Sequence, residues 1–117
     1  MKKLLFFLLL LNFSPSHAEV KLRFASIFSD NMVLQQQSTV NLWGCAPANE
    51  ELHLKCSWLP GEVIVKSHSN GSWSAGVKTP QANFTAQSVS LTSASGQTAS
   101  LSNVLIGEVW LCSGQSN

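Results

Sequence analysis

With 117 residues and a formal charge of +1, the chain has room for one small domain and lacks the basic balance that nucleic-acid binding needs. Only 11% of residues are charged, while four Trp, six Phe and many Val and Leu supply a core, which excludes disorder. Three cysteines and three scattered histidines show no zinc-ligand spacing, and neither a metal nor a cofactor is expected.

Residues 1–18 read as a secretory signal. Lys2 and Lys3 form a positive start, Leu4 to Leu11 is unbroken apolar sequence, and Ser16-His17-Ala18 offers small residues for cleavage after Ala18. The apolar run is about eight residues, far short of the roughly 20 that span a bilayer. Export is therefore expected, to the periplasm or medium, or to the lysosome or exterior of a eukaryotic cell. No membrane contact is expected after cleavage. Loss of Lys2 and Lys3 takes the formal charge from +1 to about −1.

The mature chain alternates with period two. Val20, Leu22 and Phe24 alternate with Lys21 and Arg23; Val40 and Leu42 flank Asn41; Leu52, Leu54 and Cys56 alternate with Glu51, His53 and Lys55. Each reads as a strand with one buried and one wet face. Glu62–Ser67 is a further strand, richer in Val and Ile. Asn70-Gly71 suits a type I′ turn, whose central residues both need positive φ. It predicts a hairpin of Val63–Ser67 with Ser72–Val77, placing Trp73, Ala75 and Val77 on one face. Phe84–Leu91 and Gln97–Leu101 are weaker strands, and Thr92–Ser102 reads as a loose hairpin or connector. Turn residues punctuate the chain at Ser29-Asp30-Asn31, Gly44 with Pro47, Pro60-Gly61, Pro80 and Gly96. No helical period is sustained, so an antiparallel sandwich of about seven or eight strands is expected over residues 19–103.

Side-chain roles follow from the same reading. In an oxidising compartment Cys45 and Cys56 are near enough in sequence for a disulfide to be weighed between neighbouring strands, with Cys112 left as a small buried side chain. Trp43, Trp73 and Trp110 are expected in the core, and Trp58, beside Leu59-Pro60-Gly61, is the tryptophan expected at the surface. Asn70-Gly71-Ser72 and Asn83-Phe84-Thr85 are N-glycosylation sequons. His53 and His68 read as solvated surface histidines.

The end of the chain departs from alternation. Val104-Leu105-Ile106 and Val109-Trp110-Leu111-Cys112 are continuous apolar runs, as in a strand covered on both faces. A boundary near residue 103 is expected, with residues 104–117 opening a second domain. The small-residue turn Ser113-Gly114-Gln115-Ser116 then presents a serine, as a nucleophile is presented at the tip of a buried strand.

The run Gly107-Glu108-Val109-Trp110-Leu111-Cys112-Ser113-Gly114-Gln115-Ser116-Asn117 resembles the nucleophile block of sialate O-acetylesterases, carbohydrate esterases of the SGNH hydrolase type. Ile27-Phe28-Ser29-Asp30-Asn31-Met32-Val33-Leu34-Gln35 is similar to the segment near the start of their mature chains. Val40-Asn41-Leu42-Trp43-Gly44 and Gly71-Ser72-Trp73 sit where they carry a Trp-Gly and a Gly-x-Trp. The resemblance implies an all-β N-terminal sandwich followed by the first strand of a truncated α/β hydrolase domain.

It also implies Ser116 as nucleophile on an acetyl ester of sialic acid or a related sugar, with its backbone N–H as one oxyanion donor. Gln115 stands where many such enzymes have an acidic residue and is given no chemistry; Asn117 is not the oxyanion-hole asparagine. The remaining oxyanion donors and the Asp and His belong to later blocks. The 117-residue chain is therefore expected to be catalytically silent without a C-terminal catalytic domain, since a serine without a base is a weak nucleophile. The alternative is a non-catalytic glycan-binding or scaffold module.

Overall fold

The computed structural model describes residues 20–110, so the signal segment, Cys112 and Ser116 lie outside the described residues. Eight strands follow one another without a helix among those residues: β1 Arg23–Phe24, β2 Val33–Gln35, β3 Thr39–Cys45, β4 Glu51–Cys56, β5 Glu62–Lys66, β6 Ser72–Lys78, β7 Asn83–Ser93 and β8 Thr98–Gly107. They form two sheets, one ordered β1-β3-β6 and the other β2-β8-β7-β4-β5. The fold is all-β, as the alternation requires. Every pairing is antiparallel except that of β2 with β8.

Alternation places the core. Leu42 from β3 and Trp73, Ala75 and Val77 from β6 face Leu52, Leu54 and Cys56 from β4, Val89 and Leu91 from β7, and Val104 and Ile106 from β8. The predicted faces of β4 and β6 are thus correct, as is the inward face given to Leu42 in β3. Trp73 is 1% exposed, packs T-shaped with the Phe24 ring at a centroid distance of 5.6 Å, and donates its Nε1–H to Arg23 O at 3.2 Å. Gly44 permits β1 to lie against β3: a Cβ there would stand 2.0 Å from Arg23 O. No buried side-chain nitrogen or oxygen among the described residues lacks a partner. Ser67 shows how, accepting from Glu50 N at 2.8 Å and donating to Pro47 O.

The hairpin predicted between Val63–Ser67 and Ser72–Val77 does not form. Its turn exists: Gly71 N donates to His68 O, His68 N donates to Ser72 O, and Gly71 takes φ +83°. Asn70 keeps negative φ, so this is not the type I′ geometry; its Oδ1 instead accepts from Ser72 N and Oγ. Beyond the turn the chains part. β5 pairs with β4 and β6 pairs with β3, in different sheets. Turn chemistry set the reversal, while the apolar faces chose the partners.

The disulfide weighed for Cys45 and Cys56 is absent; both are free thiols. Cys45 ends β3 in one sheet, whereas Cys56 ends β4 in the other, after a connection and a six-residue strand. Burial pushes the Cys56 thiol up to about 11, which keeps it protonated and inert near neutral pH.

The boundary expected near residue 103 also needs correction. Thr98–Gly107 is one strand, and Val104 and Ile106 are buried in the sandwich. The apparent loss of alternation is a bulge. Asn103 takes φ +53°, and the register with β7 shifts from Val89↔Leu101 to Gln87↔Val104. Leu101 and Val104 both face inward although their spacing is odd, because one extra residue resets the pleat.

Candidate functional site

Two segments singled out in the sequence, some 70 positions apart, are neighbours in space. β2 runs parallel to the end of β8 in the register Val33↔Leu105, Leu34↔Ile106, Gln35↔Gly107. The join is extended on both sides by hydrogen bonds. Upstream, Ser102 N donates to Asp30 Oδ1 at 2.8 Å, Asn31 N donates to Ser102 O at 3.0 Å, and Asn103 Nδ2 donates to Asn31 Oδ1 at 2.6 Å. Asn31 takes φ +70°, a conformation Asn tolerates better than most side chains.

Downstream, a carboxylate and two amides take over from the ladder. Gln35 Nε2 and Gln36 Nε2 both donate to Glu108 Oε1, at 2.8 and 3.0 Å. Gln35 Oε1 accepts from Val109 N at 2.8 Å, Gln36 N donates to Gly107 O at 2.8 Å, and Gln36 Oε1 accepts from Ala82 N at 2.8 Å. The bonds from Gln36 and then Gln35 hold the Glu108 carboxyl below the usual carboxylate range, because each stabilises the ionised form. Gln37 then takes φ +47° and turns the chain into the other sheet. Composition gave no reason to single out Gln35 and Gln36; their place at the end of the Ile27–Gln35 segment was the available signal.

This arrangement fixes the direction in which the chain leaves β8 through Glu108, Val109 and Trp110. Ser116 lies beyond the described residues. Trp110 is 80% exposed, so it is not the core residue expected. Trp43, also expected inside, is 42% exposed on the outer face of the three-stranded sheet, where the Phe28 ring meets it edge-on at 4.7 Å. Trp58, expected at the surface, is partly buried against the core and donates Nε1–H to Lys78 O at 2.7 Å. The periodicity of β3 already put position 43 opposite to Leu42; its aromatic character was overweighted.

The histidines behave as solvated groups. His53 sits on β4, two strands from β8, roughly 10 Å across the sheet. Its Nδ1 meets Glu62 Oε1 and its Nε2 meets Glu51 Oε1, both at 2.9 Å. Glu62 and then Glu51 raise its pKa by favouring the charged ring. His68 lies exposed in the β5–β6 turn. Among the described residues no cluster of His, Cys, Asp and Glu could hold a metal ion. The two sequon asparagines are both exposed, Asn70 in that turn and Asn83 at the start of β7. An open groove of ≈ 550 Å³ lined by Lys21, Leu22 and Ser95–Thr98 lies at the far end of β8 from Trp110 and gathers no catalytic set.

No family model matches the chain, and comparison with curated proteins gives no match. Among solved structures it is similar to a carbohydrate acetylesterase from Xanthomonas citri, with a TM-score of 0.60 and 20% sequence identity over 68% of this chain. The chain spans 17% of the length of that protein. The sandwich described above is therefore a fold shared with one portion of a larger carbohydrate acetylesterase.

Proposed function

We propose that this chain is the N-terminal sandwich of an exported carbohydrate esterase of the sialate O-acetylesterase type, with Ser116 as its nucleophile. The observation that carries the reading is the clamp of Gln35 and Gln36 on Glu108 and Val109, which holds the root of the serine-bearing segment. A nucleophile needs a fixed approach, since small displacements of a reacting group cost large factors in rate. The likeness to a carbohydrate acetylesterase supports the same reading at the level of fold.

In this reading Ser116 Oγ attacks the carbonyl carbon of a sugar acetyl ester. Its proton passes to a base from the downstream chain and from there to the sugar oxygen, which departs as a hydroxyl as the ester C–O bond breaks and the acetyl-enzyme forms. Water then releases acetate. The Ser116 N–H helps to hold the oxyanion. His53 is committed to two carboxylates on the outer face of β4 and takes no part.

The test is p-nitrophenyl acetate hydrolysis by the 117-residue chain and by the chain extended through its downstream coding sequence. Activity is expected in the extended chain alone and should fall at least about a thousandfold in Ser116→Ala. Equal activity of the two would overturn the requirement for downstream residues.

A second reading has its own observation. Trp43 exposes its ring on the outer face of the three-stranded sheet, and aromatic faces suit sugar rings. A glycan-binding module predicts glycan-array binding by the chain that is lost in Trp43→Ala; no binding would remove this reading.

A further inference from the structure

β5 is the last strand of its sheet and pairs with β4 alone. Its register fixes where each backbone group points. Ser67 N donates to Glu50 O, one position beyond the pair Lys66↔Glu51. Antiparallel pairs alternate between hydrogen-bonded and non-bonded, so Val65 and Val63 exchange their bonds with β4. The N–H and C=O groups of Glu62, Ile64 and Lys66 therefore point to the open edge, where no other described strand pairs. Such an edge is a template for a further strand.

The side chains say which strand fits. β5 reads Glu-Val-Ile-Val-Lys, a palindrome in its apolar residues with opposite charges at its two ends. On the outer face Glu62, Ile64 and Lys66 are exposed, Ile64 by 56%. On the inner face Val63 and Val65 pack against the core but are only half-buried, because no strand covers their flank. A second β5, laid antiparallel about a two-fold axis at Ile64, answers every position. Glu62 stands beside Lys66 of the second copy, Ile64 beside Ile64, and Val63 beside Val65. The residues with outward backbone groups are the ones that face each other, so about six backbone hydrogen bonds join the strands.

The neighbouring strand extends the match. Glu51 lies beside Lys66 and Lys55 beside Glu62. Each outer row then runs Glu51, Lys66, and Glu62 and Lys55 of the second copy, alternating in sign across the junction. Among the described residues the ion pairs are those of His53 with Glu51 and Glu62, so Lys66 is free to meet a new carboxylate. Glu62 meets His53 through Oε1 and keeps Oε2 for that lysine. A parallel copy in the same register would set Glu62 on Glu62 and Lys66 on Lys66, which is unfavourable.

We propose that β5 is a self-association edge, through which two copies of this chain join antiparallel over Glu62–Lys66 into one continuous sheet. The proposal is independent of the esterase reading. Five residues make a short interface, so the dimer is weak, with a Kd on the order of 100 µM. The contact is isologous and closes on itself, so association stops at two copies.

Sedimentation velocity of the 117-residue chain, from about 10 µM to about 1 mM, should show a monomer–dimer equilibrium. Glu62→Lys and Lys66→Glu each set like charges together in both rows and should weaken the dimer at least about tenfold. An equimolar mixture of the two variants pairs lysines with glutamates in both rows, and its association should return to near the parent value. In the parent chain, amide exchange at Ile64 should slow several-fold as concentration rises, while Val65, already bonded to β4, keeps its rate. A parent chain that stays monomeric overturns the proposal. So does a dimer indifferent to the single variants, growth beyond two copies, or a mixture that fails to associate although both variants keep the parent urea midpoint. If either variant fails to fold, exchange at Ile64 in the parent chain decides: a rate independent of concentration overturns the proposal.

Discussion

The three-stranded sheet and the β2 edge of the five-stranded sheet are held by different means. The first depends on fit: Trp73 fills the space between the sheets, Phe24 closes on its ring, and Gly44 lets β1 approach without a side chain between. The second depends on exposed polar groups. Three residues of parallel ladder are extended by the Gln35, Gln36 and Glu108 contacts. Fit resists small changes of solution conditions, whereas exposed polar contacts respond to them. The β2 edge is therefore the more pH-sensitive of the two.

The largest expected effect lies in the fitted sheet. Trp73→Ala should destabilise the chain by about 3–5 kcal/mol, read as a lower urea midpoint, because a buried aromatic leaves a cavity. Gly44→Ala should cost about 1–3 kcal/mol or more through overpacking against the backbone of β1. If either leaves the urea midpoint unchanged, β1 and β6 are not held by packing. Gln35→Ala should have a smaller and more local effect. It frees the Val109 amide, whose hydrogen exchange should speed up while the amides of β3 and β6 keep their protection.

The smallest effects are electrostatic, and they have opposite signs at the two edges of the five-stranded sheet. Glu108 has a lowered pKa, so its contribution is present above the unfolded carboxylate value and lost as pH falls through the folded one. His53 has a raised pKa, so its contribution is full below about 6.5 and lost as pH rises through the folded value. Acid should therefore loosen the β2–β8 join, and mild alkali the β4–β5 edge. Amide exchange at Val109 and Val65 across a pH series, corrected for intrinsic rates, reads both. In Glu62→Gln the His53 titration, followed by NMR, should move back toward its ordinary value.

Much of the sandwich was legible because period-two alternation states which face of a strand is dry. Leu52, Leu54 and Cys56, and Trp73, Ala75 and Val77, were assigned to the core on that basis and are buried there. Strand partners were not legible at Asn70-Gly71. A turn reverses the chain over four residues but does not decide whether the two arms share a sheet. The run Val104-Leu105-Ile106 misled for a different reason, since the bulge at Asn103 hides an ordinary half-buried strand. Of the candidate site, the sequence offered Ile27–Gln35 and Gly107–Asn117 as separate segments. Their meeting depends on a parallel pairing across the length of the chain, which no local pattern encodes.

That pairing sets a sequence of events in synthesis. Val33 cannot find Leu105 until synthesis has gone 72 positions further, because the two pair across that separation. Contacts of such long separation close late and slowly. Before then Val33–Gln35 has no β8 partner, and its apolar residues are open to aggregation. The contacts of Gln35 and Gln36 to Glu108 and Val109 form only once β8 docks, so they are made after the rest of the sandwich is built.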